Sequence, residues 1–134
     1  MAQAPGLTDD ISPGFTFMHT ARSYDGGHLW MVISAETSLA TVAVTNFTTA
    51  GRIPDRTCPI YAGGHPFVVH GTLVNYPLAL MKPVAALRAA GQDGTITVRE
   101  RIAPELLLRI QEGALLSLYT PPAVEKAVRA TLGR

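Results

Sequence analysis

Short apolar runs alternate along the chain with clusters of Gly, Pro, Asp and Thr. Residues 14–19 (GFTFMH) alternate and predict a first short strand. Residues 20–27 (TARSYDGG) read as a loop, because Asp25-Gly26-Gly27 is strong turn chemistry. Residues 28–34 (HLWMVIS) are apolar on both faces, with Leu29, Met31 and Ile33 on one and Trp30 and Val32 on the other, which predicts a central strand. After a connection at 35–38, residues 39–47 (LATVAVTNF) carry the Val and Thr that suit a pleated surface. A loop at 48–56 leads to 57–61 (TCPIY), which Pro59 marks as an edge strand. Gly63-Gly64 turns the chain into 66–76 (PFVVHGTLVNY), a strand bulged at Gly71.

The C-terminal part changes period. A helix is predicted over 83–90, with Gly91 past its end. Residues 95–102 (TITVRERI) alternate, with Ile96, Val98 and Ile102 on one face and Thr95, Thr97, Arg99 and Arg101 on the other. A second helix spans 104–117, its Leu107, Ile110, Ala114 and Leu118 at helical spacing and turned to the sheet. A third spans 121–132, capped by Thr120, with a Val124, Val128, Leu132 stripe and a Glu125–Arg129 pair. Strands at hairpin spacing followed by helices predict an α+β fold, mainly β. The expected architecture is a small curled antiparallel sheet or barrel with C-terminal helices against one side or end. Residues 1–13 read as a flexible N-terminal arm and 14–134 as a single compact domain.

Composition narrows the classes. The 134 residues are 47% apolar and 16% charged, too greasy for a disordered chain and large enough for a real core. A net charge of +1 gives no bulk attraction to nucleic acid or anionic lipid. Only Lys82 and Lys126 are lysines, so the cationic groups are mostly Arg, the better phosphate fork. No apolar run reaches the ~18 residues of a membrane span. MAQAPGLTDD has neither the basic nor the apolar region of a signal peptide, so a cytoplasmic protein without a membrane partner is expected. Cys58 stands alone, which excludes an internal disulfide.

Residues able to do chemistry gather at strand ends and loops of the first half: His28, Asn46, Thr48, Thr49, Asp55, Arg56, His65 and His70. The chain carries no GxGxxG, Walker loop, GxSxG, CxxC or HExxH, so neither a nucleotide cofactor nor a hydrolase triad is expected. A zinc site from Cys58, His65 and His70 fits no standard ligand spacing, and no metal is assigned. If Ser34 faces Leu39 across a hairpin, His28 lies opposite Thr45. Thr49 is then four residues further on, roughly 13 Å at ~3.3 Å per residue. A one-residue slip selects Thr48 instead, so sequence leaves both threonines open. His70 reads as a strand residue and His65 as a turn residue, and each has a structural alternative as a hydrogen-bonded imidazole.

Taken in order, ISPGFTFMH at 11–19, HLWMVIS at 28–34, VTNFTT at 44–49 and the strand–helix run at 95–112 resemble the PemK/MazF toxin family. The resemblance covers roughly residues 11–118. It implies an SH3-like small barrel, a metal-independent endoribonuclease of a type II toxin–antitoxin pair, RNA as substrate, a cognate antitoxin protein as partner and a homodimer. The family's catalytic Arg falls on His28 and its active Thr on Thr48. The Gly-Glu-Gln stretch before that Arg is replaced by ARSYDGG, and GGHPFVVH is not a family feature. On this reading His28, Thr48, His65 and His70 are the catalytic candidates, and Arg22, Thr49, Arg52 and Arg56 the RNA- and phosphate-binding ones. The alternative is a non-catalytic small-barrel module that binds protein or nucleic acid.

Overall fold

A computed structural model describes residues 10–21 and 25–134. Seven strands make up the sheet: β1 (Thr16–His19), β2 (Trp30–Val32), β3 (Thr41–Thr49), β4 (Pro59–Ile60), β5 (Thr72–Val74), β6 (Leu80–Pro83) and β7 (Ile96–Arg99). Three helices accompany them: α1 (Val84–Gln92), α2 (Pro104–Leu116) and α3 (Pro122–Leu132). The strand order is β4-β5-β3-β2-β1-β7, with β6 branching from β3, and every pairing is antiparallel. This is an α+β fold, as the alternating patterns predict.

β3 organises the sheet. Along one edge it pairs with β2. Along the other, Thr41–Val44 pair with β6 and Phe47–Thr49 with β5. One nine-residue strand therefore serves two neighbours in succession. Strand β2 is central, and its two apolar faces feed two separate cores. Leu29, Met31 and Ile33 join Ile110, Ala114, Val124 and Val128 of α2 and α3. Val32 joins Phe17, Val44, Leu87 and Ile96, with Trp30 packed beside them. Burying a side chain such as Ile110 contributes roughly 1.5–3 kcal/mol. The helices thus cover both faces of the sheet, where a single covered side was expected: α1 supplies Val84 and Leu87 to the second core.

Several boundaries move for local reasons. Leu39 and Ala40 belong to a turn rather than to β3. The Thr37 hydroxyl meets that of Thr41 at 2.7 Å, and Ala40 has φ 58°. The segment 66–71 is not a strand. Val68 N–H donates to His65 O with Pro66 in between, a β-turn with Pro at the position whose φ it presets. Residues 80–82, to which the sequence pattern assigned no element, and Pro83, expected to open the helix, form β6. Helix α3 starts one residue late, because a residue before Pro is driven out of the helical region and Pro121 precedes Pro122. The Thr120 hydroxyl consequently caps nothing and is buried without a partner. Ser117 is extended, so α2 ends before Leu118, which is 98% exposed; Leu106 is buried in its place. Ile102 lies in the first core and not with Ile96, because β7 ends at Arg99.

Residues 10–13 are anchored, contrary to the expectation of a loose arm. Ile11 is buried in the second core, and the Arg101 guanidinium donates to the main-chain oxygens of Asp10 and Pro13. Residues 1–9 lie outside the described residues. No helix among the described residues is long and apolar enough to cross a membrane.

Candidate functional site

The β2–β3 register decides which threonine meets His28. Trp30 pairs with Asn46, and Leu29 O accepts from Phe47 N–H at 3.1 Å. Continuing that register sets His28 across from Thr48. The hairpin expected from sequence, with His28 opposite Thr45, is three residues out of register, and the 13 Å gap it implied does not exist. The cause is the turn at 37–40, which takes in Leu39 and Ala40.

His28 is half-buried and held by one ring nitrogen. Its Nδ1 lies 3.0 Å from Phe47 O. A carbonyl only accepts, so Nδ1 carries a proton, and in the neutral ring Nε2 is the nitrogen that bears the lone pair. Nε2 lies beneath the Asp25–Gly27 turn, where a methyl carbon placed on Gly26 would stand 4.0 Å from it. Gly26 and Gly27 have φ of 80° and 83°, a conformation that side chains resist.

The other wall comes from β5 and the loop before it. Thr49 pairs with Thr72, and the Thr49 hydroxyl meets His70 Nε2 at 3.2 Å. The Thr72 hydroxyl donates to His70 O at 2.9 Å. Beyond β3 the chain turns at Gly51, and Arg52 N–H returns to Thr49 O. Arg52 is exposed, and no carboxylate among the described residues pairs with its guanidinium. His28, Thr48, Thr49, Arg52 and His70 line one cleft of about 340 Å³. Five of the residues singled out in sequence converge there from three separate segments.

Other candidates lie elsewhere. His65 is buried and structural in its bonding: Nε2 donates to Glu100 O at 2.8 Å, and Nδ1 accepts from Phe67 N–H at 3.1 Å. Both nitrogens are occupied, and His65 is not part of the cleft lining. Arg56 is exposed and also outside it. Arg22 lies outside the described residues. Cys58 is buried, where desolvation pushes its thiol pKa up and favours the protonated form.

Thr72, Phe67 and Asp25 line the cleft and escaped sequence reading. Phe67 looked like one more apolar position in a strand. Asp25 looked only like turn chemistry, yet its carboxylate takes three hydrogen bonds. Trp30 Nε1 donates to Oδ2 at 2.7 Å, His19 Nδ1 lies 2.9 Å from the same oxygen, and Gly27 N–H donates to Oδ1 at 3.0 Å. Burial works to raise its pKa, but these donors outweigh it and hold the carboxyl below the usual range.

A larger groove of about 640 Å³ runs between α3 and residues 35–41, and its charged lining residues are Glu36 and Lys126 alone. The 340 Å³ cleft, by contrast, is lined by two histidines, three threonines (Thr48, Thr49 and Thr72), Arg52 and the carboxylate-bearing Asp25. That set can accept and donate protons and meet an anion. No protein-family model matches the chain, and no curated protein or solved structure is measurably similar to it.

Proposed function

We propose that the chain is a metal-independent endoribonuclease of the toxin type, with the His28–His70 cleft as its active centre. The observation that carries this reading is the convergence of His28, Thr48, Thr49, Arg52 and His70 on one cleft. RNA cleavage needs a base for the 2′-hydroxyl, an acid for the leaving 5′-oxygen and a counter-charge for the phosphorane. Imidazole is the side chain whose protonation changes near neutral pH. The anchored tautomer of His28 leaves Nε2 to take the 2′-proton. The 2′-oxygen–phosphorus bond then forms as the phosphorus–5′-oxygen bond breaks. Protonated His70 supplies the proton to the 5′-oxygen, leaving a 2′,3′-cyclic phosphate and a 5′-hydroxyl. Arg52 and the two threonines meet the non-bridging oxygens.

The sheet divided between two neighbours of β3 supports the small-barrel architecture that the PemK/MazF resemblance implies. A cognate antitoxin and a homodimer follow from the same resemblance, and a cytoplasmic setting from the N-terminal sequence. The test is purified protein incubated with RNA in EDTA, and growth and RNA integrity after induction. Cyclic-phosphate ends lost in both His28→Ala and His70→Ala support the reading; intact RNA at all protein concentrations ends it.

One observation favours the second reading, a binding module. The ionised Asp25 carboxylate stands in the same cleft and repels phosphate. Retention of RNA or protein by a chain that cleaves nothing would select it.

A further inference from the structure

Phe67 is the aromatic side chain of the cleft that also holds His28, His70 and Arg52; Phe47, the other ring, is buried in the core at its back. Phe67 is half-buried: part of its surface packs on the first core, and part lines the cleft. Its backbone is braced at both ends of a short turn. The Phe67 N–H is bound by His65 Nδ1, and His65 Nε2 is in turn tied to Glu100 O. Next to it Val68 is buried, with its N–H on His65 O and its oxygen accepting from Gly63 N–H. The backbone that carries this ring is therefore tied, through His65, to Glu100, the residue that follows β7.

We infer that Phe67 is a nucleobase-stacking subsite, and that the brace through His65 exists to present it. This rests on the proposed ribonuclease reading and names what that site grips: one base of a single-stranded RNA, flanking the phosphate that the imidazoles address. Every base offers a π face, so an aromatic platform suits single strands, whose bases are free to splay out and stack. A duplex hides those faces. A ring that already packs on the core along part of its surface loses less freedom when a base docks than a fully exposed one, which is the condition for stacking to add affinity.

The experiment measures binding separately from cleavage. Fluorescent deoxyuridine tetranucleotides lack the 2′-hydroxyl, so they bind without being cut, and their affinity is read by anisotropy. A second set carries one abasic position each. For the wild type, one abasic position should weaken binding about 10-fold, within the range for one stacked base. Phe67→Leu keeps the packing on the core and removes the π face. It should bind the intact probe about 10-fold more weakly and be indifferent to that abasic position. Phe67→Trp should bind at least as tightly as wild type. Equal affinity of wild type and Phe67→Leu, with the abasic penalty retained in both, overturns the subsite while leaving the nucleic-acid reading intact. A wild type that binds no oligonucleotide at all overturns both.

Discussion

His28 donates through Nδ1 to the main-chain oxygen of Phe47 at 3.0 Å, and this one bond makes the residue both structural and chemical. It fixes the ring, and it sets the tautomer that leaves Nε2 as a base. Asn at this position can place its amide N–H where Nδ1–H now lies, but it has nothing in place of Nε2. His28→Asn should therefore keep stability close to wild type while RNA cleavage falls by ~10²–10⁴-fold, the scale of a lost general base. His28→Ala should lose the same activity and also about 1 kcal/mol of stability, measured by urea unfolding. Cleavage retained in His28→Asn would show that Nε2 takes no proton.

Asp25 gives a pH signature. Its folded pKa is depressed, so the stability it contributes is present above the unfolded value near 3.9 and is lost as pH falls through the folded value. Asp25→Asn should be less stable than wild type at neutral pH. The gap should narrow as pH falls below about 4, the unfolded value, and close once pH has passed the folded one. Thermal melts of both proteins across that window measure it. Parallel curves would mean that the bonds from Trp30, His19 and Gly27 do not favour the ionised form.

His65 should behave as a structural residue. His65→Leu leaves Glu100 O and Phe67 N–H without their side-chain partner, at a cost of ~1–3 kcal/mol. Turnover measured well below the unfolding transition should persist, while any loss appears in the substrate concentration needed. A stable His65→Leu protein with no turnover would put the imidazole into the chemistry.

Gly113 marks a close approach inside the core. A methyl group there would overlap the Tyr76 hydroxyl and crowd Cys58. That hydroxyl donates to Ile110 O at 2.6 Å, and burial pushes its pKa far up, so it stays a donor. Gly113→Ala should cost ~1–3 kcal/mol by overpacking, more than its helical propensity returns. Adding Tyr76→Phe removes the overlapping oxygen, so the double variant should lose less than the two single losses combined. Ile110→Ala, which empties a fully buried site on the same helix, should cost ~2–5 kcal/mol, and half-buried Leu107→Ala less.

Local pattern, with Pro and Gly as punctuation, identified β1, β2, β3, β4, β7 and the three helices, because each is specified by residues close in sequence. Trp30 and Val32 against Leu29, Met31 and Ile33 predicted a strand buried on both faces, and those two sets do enter separate cores. The Glu125–Arg129 pair, at 3.1 Å, follows from helical spacing in the same way. What sequence left open was set by contacts between distant segments. The choice between Thr48 and Thr49 depended on where a turn ends, since one residue of slip reverses a strand's faces. The tertiary structure uses both threonines: Thr48 across from His28, and Thr49 on His70. The histidines of GGHPFVVH were separated by what folds against them. The main-chain oxygen of Glu100 and the N–H of Phe67 claim both nitrogens of His65, while His70 emerges beside β3. Local pattern determines the elements, because a side chain's face depends on its neighbours along the chain. The site is assembled by register and burial, which only the folded chain can set.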